Sequence, residues 1–153
     1  MKIIASLLIL SLTVACSQPV EVSTMSIQNS EVDCLAEALY FEARGTGETG
    51  LRAVGEVIVN RAADPQFPNT ICGVVDHRYN GSCQFSYRCD NIPEEFGNPI
   101  AYANAQSVAH TLLTNRGEDI TNGALFFHAA WMTPGWFGTL NRHGQFGGNI
   151  FYS

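Results

Sequence analysis

A glutamate set against an apolar helix face is the arrangement in this chain best suited to moving a proton. The segment is Asp33-Cys-Leu-Ala-Glu-Ala-Leu-Tyr-Phe-Glu-Ala-Arg-Gly45. Wound at about 100° per residue, it gathers Val32, Leu35, Ala36, Leu39 and Ala43 into one apolar stripe. Glu42 falls beside Leu35 on the border of that stripe, while Glu37 and Arg44 lie roughly opposite. A carboxyl against an apolar wall resists ionisation, so its pKa rises. An acid that keeps its proton near neutral pH can hand it to a leaving group. The alternative at this point is a surface glutamate paired with a base.

The elements that must hold Glu42 can be read from capping and breaking residues. Ser30-x-x-Asp33 resembles a capping box that opens the first helix, and Gly45 ends it. A second helix is expected from Thr49, with Leu51, Val54, Gly55, Ile58 and Ala62 on one face and Asp64-Pro65 as its stop. Gly55 in mid-helix suggests close approach of the first helix. No period persists from residue 66 to 98, an irregular but ordered excursion suited to a binding surface. Asn98 and Pro99 then cap a third helix, which buries Ala101, Ala105, Val108, Ala109, Leu112 and Leu113. Ala124–His128 and Asn149–Tyr152 read as short strands flanking a Gly- and aromatic-rich loop. The expected class is α+β, a mostly helical single domain with a small β region.

The ends and the cysteines place the chain outside the cytoplasm. Met1-Lys2 followed by the apolar run Ile3–Ala15 reads as a signal peptide (residues 1–15), too short to span a bilayer. Leu12-Thr-Val-Ala-Cys16 resembles a lipoprotein box, making Cys16 the expected lipidation site and any membrane contact a lipid anchor there. Residues 16–29 are expected to form a flexible tether, leaving 30–153 as the folded unit. Loss of Lys2 with the leader takes the formal charge from −6 to −7, which gives no support to nucleic-acid binding. Cys34, Cys72, Cys83 and Cys89 remain, an even set that suggests two disulfides with three pairings open. Cys83 and Cys89 are near enough to staple one loop, which would leave Cys34 to Cys72. No Cys-x-x-Cys or His-x-x-x-His spacing supports a metal site, and no cofactor is implied.

Six segments, in one order, resemble the SleB-type cell wall hydrolase family. They are Cys34–Gly45, Ala53-Val-Gly-Glu-Val-Ile-Val-Asn-Arg61, Phe67-Pro-Asn-Thr-Ile-Cys-Gly-Val-Val75, Cys83-Gln-Phe-Ser86 with Cys89-Asp90, Gly123-Ala-Leu-Phe-Phe-His128 and Gly148-Asn-Ile-Phe-Tyr152. The resemblance implies a lysozyme-like fold, peptidoglycan as partner and cleavage of its glycan strands. It also implies that the glutamate of Glu42-Ala43-Arg44-Gly45 is the catalytic acid, the residue the helical wheel singles out. Relatives often carry Glu after that glycine, where this chain has Thr46 and then an acid at Glu48. They commonly show a histidine where this chain has Asn149.

One glutamate is enough for a lytic transglycosylase, because the substrate's own 6-hydroxyl replaces water and leaves a 1,6-anhydro-muramyl end. Hydrolysis aided by Glu48 is the alternative, since it calls for a second carboxylate. A non-catalytic wall-binding module is another. A peptidase would need a zinc site or a Cys/His pair that the scattered histidines do not offer. Glu37 and Glu56 read as helix-surface or structural acids. Expected substrate contacts are Tyr40, Glu48, Gln84, Phe85, Ser86, His128 and Tyr152, with Phe85 equally suited to anchoring its loop in the core. Trp131 and Trp136 are expected to pack beneath their loop, with a glycan platform as the alternative. The enzyme is expected to be a monomer of the cell envelope or periplasm.

Overall fold

The computed structural model describes residues 21–133 and 135–153, with side chains from residue 29 onward other than those of 136 and 137. The expected leader and Cys16 lie outside the described residues. Four helices carry most of this structure: α1 (Glu21–Ala43), α2 (Gly47–Ala63), the short α3 (Ile71–Val75) and α4 (Pro99–Thr114). A two-residue hairpin, β1 (Arg78–Tyr79) with β2 (Ser82–Cys83), precedes a 3₁₀ turn at Ser86–Cys89. After α4, β3 (Phe126–Ala129), β4 (Arg142–Phe146) and β5 (Asn149–Tyr152) form an antiparallel sheet in the order β3-β5-β4. The α+β expectation holds.

Helix α1 sits at the centre, packed against α2, α3 and α4. That is why its buried set is wider than one stripe: Leu35, Ala36, Ala38, Leu39, Tyr40 and Ala43 are all within 1 % of full burial. Its start differs from expectation. Residues 21–29, read as tether, continue the helix to Glu21, and Ser30 is an interior residue rather than a cap. The stretch contains neither Gly nor Pro, so nothing in it stops a helix propagating backwards from the packed turns. Glu31 instead serves a neighbour, accepting the backbone N–H of Ile71 at the start of α3.

Helix α2 begins at Gly47, two residues ahead of the expected start near Thr49, and stops before Asp64 as Asp64-Pro65 dictates. Gly55 is used for close approach, but chiefly to α4: a Cβ there would lie 2.4 Å from Leu112 Cδ1 and 3.4 Å from Leu39 Cδ2 of α1. Asn98 caps α4 as expected, its side chain accepting from the Ala101 N–H at 3.0 Å. Strand β4 escapes the sequence because Arg142-His-Gly-Gln-Phe lacks apolar alternation. Its turn into β5 passes through Gly147 and Gly148 at positive φ. A Cβ on Gly147 would sit 2.5 Å from Gly50 Cα, so this turn presses directly on the backbone of α2.

Two disulfides complete the frame. Cys34–Cys72 ties α1 to α3 and Cys83–Cys89 closes the loop between β2 and the 3₁₀ turn.

Candidate active site

Glu42, one residue before the end of α1, faces a cleft of about 540 Å³. Helix α2 contributes Arg61 to the same cleft, and the disulfide-closed loop contributes Gln84 and Phe85. Strand β3 and the turn after it supply Phe126, Phe127, His128, Ala129 and Met132, while β5 supplies Asn149. The walls are thus largely aromatic, and Glu42 is the one carboxyl among the described residues that line them.

Burial raises the Glu42 pKa above its ordinary 4.5, and the positive charge of Arg61, acting the other way, does not offset it. Among the described residues no group donates a hydrogen bond to the Glu42 carboxyl. Such donors would stabilise the ionised form, so their lack acts in the same direction as burial. Arg61 is only 6 % exposed. Its Nε donates to the Leu125 carbonyl at 2.8 Å, and its guanidinium carbon lies 5.3 Å from the ring of Phe67 and 5.8 Å from those of Phe85 and Phe126. Desolvation lowers its pKa to about 10, with Glu42 pulling upward.

His128 is fixed in orientation. Its Nδ1 lies 2.8 Å from the Ala129 carbonyl, which can only accept, so the proton of the neutral ring sits on Nδ1. Nε2 is then the acceptor for the Tyr152 hydroxyl at 3.0 Å, with the two rings stacked at 16°. Tyr152 is 7 % exposed and reaches the cleft through His128.

The other expected contacts divide. Gln84 lines the cleft from an exposed position, and Phe85, 1 % exposed, is both wall and core anchor. Ser86 is exposed but opens the 3₁₀ turn outside the lining. Tyr40 is not a cleft residue. It is 1 % exposed, and its hydroxyl accepts from Arg44 Nη1 at 2.6 Å and from the Asn98 N–H at 3.0 Å, pinning the start of α4. A residue two positions from Glu42 points about 200° away around a helix, so Tyr40 enters the core. Glu48 lines a separate groove with Arg44, Leu51 and Asn104. Trp131 does not pack beneath its loop but is 84 % exposed, and the Trp136 side chain lies outside the described residues. Arg61, Phe126, Phe127, Ala129, Met132 and Asn149 line the cleft without having been expected as contacts, Arg61 and Asn149 being the polar ones. The signal for Arg61 was present: it follows Val54 and Ile58 on the apolar face of α2, where a cation has no structural reason to be.

The sequence model of the Cell Wall Hydrolase family matches residues 45–152. The chain belongs to the cell wall hydrolase family. Glu42 itself lies just ahead of the matched range. A spore cortex-lytic enzyme of Bacillus subtilis is 45 % identical over 47 residues, 31 % of this chain and 15 % of that protein. Its counterpart in Halalkalibacterium halodurans is 27 % identical over 124 residues, covering 80 % of this chain and 34 % of that protein. The chain thus spans no more than about a third of the length of these relatives. Among solved structures, the catalytic domain of the germination-specific lytic transglycosylase SleB from Bacillus anthracis matches with a TM-score of 0.58 at 26 % identity, over 80 % of this chain and 93 % of that one. The SleB catalytic domain of Bacillus cereus gives 0.61 at 27 % identity, over 82 % and 91 %. Both matches carry the fold of the cell wall hydrolase member described here.

Proposed function

We propose that this protein cleaves the glycan strands of peptidoglycan in the cell envelope as a lytic transglycosylase, with Glu42 as acid and then base. The observation that carries this reading is a cleft lined, among the described residues, by a single carboxyl with a raised pKa. The Glu42 proton passes to the bridging oxygen as the bond from the anomeric carbon to that oxygen breaks. The carboxylate so formed takes the proton of the substrate's 6-hydroxyl while that oxygen bonds to the anomeric carbon. Glu42 ends protonated, no water is consumed, and a 1,6-anhydro end remains. Hydrolysis through a second carboxylate is less well supported, because Glu48 faces a different groove.

Mass spectrometry of peptidoglycan digested by the pure enzyme tests this. Anhydro-muramyl ends are expected; reducing ends alone would reject the single-acid mechanism. E42Q should bind sacculi without releasing fragments, and lysis at the wild-type rate would remove Glu42 from its role. A non-catalytic module would show no release with either protein.

A further inference from the structure

Arg61 has more donors than the fold uses. Its Nε is spent on Leu125 O and its flat faces on the aromatic rings around it. Among the described residues neither Nη group donates a hydrogen bond, and no carboxylate lies in ion-pair contact with the side chain. The residue is 6 % exposed, yet its Nη groups are not among the fully buried polar atoms left without partners, which sit on Arg52, Glu56, His77 and Tyr87. The two Nη groups therefore open onto the cleft that Arg61 lines. A cation enclosed this way has lost most of its water and, among the described residues, has no carboxylate in direct contact, Glu42 acting on it only at longer range. Glu42, in the same cleft, is neutral when it is ready to donate its proton, so it cannot supply that charge.

Building on the glycan-cleaving reading, we propose that Arg61 is the receptor for the lactyl carboxyl group of a muramoyl residue, held by the free Nη edge of the guanidinium. The planar fork of Arg matches a carboxyl group, and a free carboxylate offers both an opposite charge and two acceptor oxygens. Strands stripped of peptide carry that carboxylate; strands that keep a stem peptide present an amide carbonyl at the same place, a weaker acceptor of the same geometry. Glucosaminyl residues, which alternate with muramoyl residues along the strand, carry no lactyl group. Binding at Arg61 therefore sets the register of the strand and brings the muramoyl anomeric carbon, not the glucosaminyl one, to Glu42.

The test is calorimetric binding to E42Q, in which no turnover confuses the reading. The probes are the N-acetylglucosaminyl-N-acetylmuramic acid disaccharide, its methyl ester, the corresponding peptide-bearing fragment and N,N′-diacetylchitobiose. The free acid should bind about tenfold or more tightly than its ester, as loss of a charge-assisted hydrogen bond implies, with the peptide-bearing fragment between them and chitobiose no better than the ester. R61Q in the same background should erase the difference between acid and ester. Equal binding of acid and ester, no measurable binding of the acid, or an equal loss of acid and chitobiose binding in R61Q would each overturn the assignment. The comparison of acid with ester needs no substitution at Arg61, so a misfolded variant cannot obscure it. A protein that discriminates acid from ester but releases no anhydro ends would keep this site and lose the transglycosylase reading; the converse result would do the opposite.

Discussion

Two carboxyls near arginine, the half-buried Glu42 and the buried Glu56, differ in a way that separates a candidate for chemistry from architecture. Glu56 on α2 is fully buried. Arg116 Nε donates to its Oε2, and Arg52 Nε stands 3.5 Å from its Oε1. Arg116 also donates to Asn60, whose amide donates to Asp119 Oδ2 at 3.0 Å and to the Ala124 carbonyl at 3.1 Å. Asp119 in turn accepts from the Thr121 and Gly123 N–H groups at 2.8 Å. This network fastens the loop before β3 to α2 and so fixes where His128 sits. Glu42 has an arginine in the same cleft but, among the described residues, no hydrogen-bond donor, and it faces space for a ligand. Burial raises the pKa of both carboxyls, but Glu56 is closed off as a brace among its partners, whereas Glu42 is left facing space that a ligand can enter.

The largest expected effect tests the poised acid. E42Q should lower release of glycan fragments by about 10² to 10⁴, the range assigned to general acid–base catalysis, with the fold intact by circular dichroism. E56L should do the reverse. Removing one partner from a buried pair costs about 3–5 kcal/mol, so urea midpoints should fall sharply while the folded fraction still cleaves glycan. Wild-type stability in E56L, or a purely catalytic loss, would break the contrast.

The disulfides sharpen it further. C34S/C72S opens a link of separation 38, for which loop entropy gives about 4 kcal/mol. C83S/C89S opens one of separation 6, worth about 2 kcal/mol by the same relation. The second pair holds the loop that brings Gln84 and Phe85 to the cleft, so it should raise KM for soluble glycan more than the first despite the smaller stability loss.

The smallest effects are pH dependences of opposite sign. Glu42 has a raised pKa through burial, so kcat/KM should fall along an alkaline limb placed above pH 4.5. By linkage its contribution to stability is complete below the unfolded pKa and is lost as pH rises through the folded one. E42Q should therefore melt higher than wild type near neutral pH. Burial of Asp119 acts to raise its pKa, but hydrogen bonds from Thr121, Asn60 and the Gly123 N–H outweigh it and hold the pKa below 3.8. Its contribution is present above the unfolded pKa and is lost as pH falls through the folded one, so D119N should flatten the acid arm of a melting-temperature profile. An E42Q protein with an unchanged alkaline arm, or a D119N protein with an unchanged acid arm, would show that other groups set the curve.

Much of this molecule follows from short-range chemistry that its residues state openly. Asn98-Pro99 started α4, Asp64-Pro65 stopped α2 and the border position of Glu42 on its helix marked it as the candidate acid, because capping, proline sterics and helical periodicity depend on neighbours a few positions apart. Cys34–Cys72 was one of the pairings the cysteine spacing left open, the one that remains if Cys83 takes its nearer partner, and the structure forms it. What the tertiary structure alone decided is which buried groups find company. Helix α1 is enclosed by three others, which turned Tyr40 inward and extended burial beyond one stripe. Arg61 and Glu42 lie 19 positions apart in the sequence, Asn149 far beyond both, and only the packing of α2 and β5 against the end of α1 makes them walls of one cleft. Desolvation is a property of everything within several ångströms of an atom, and chain order does not carry that information.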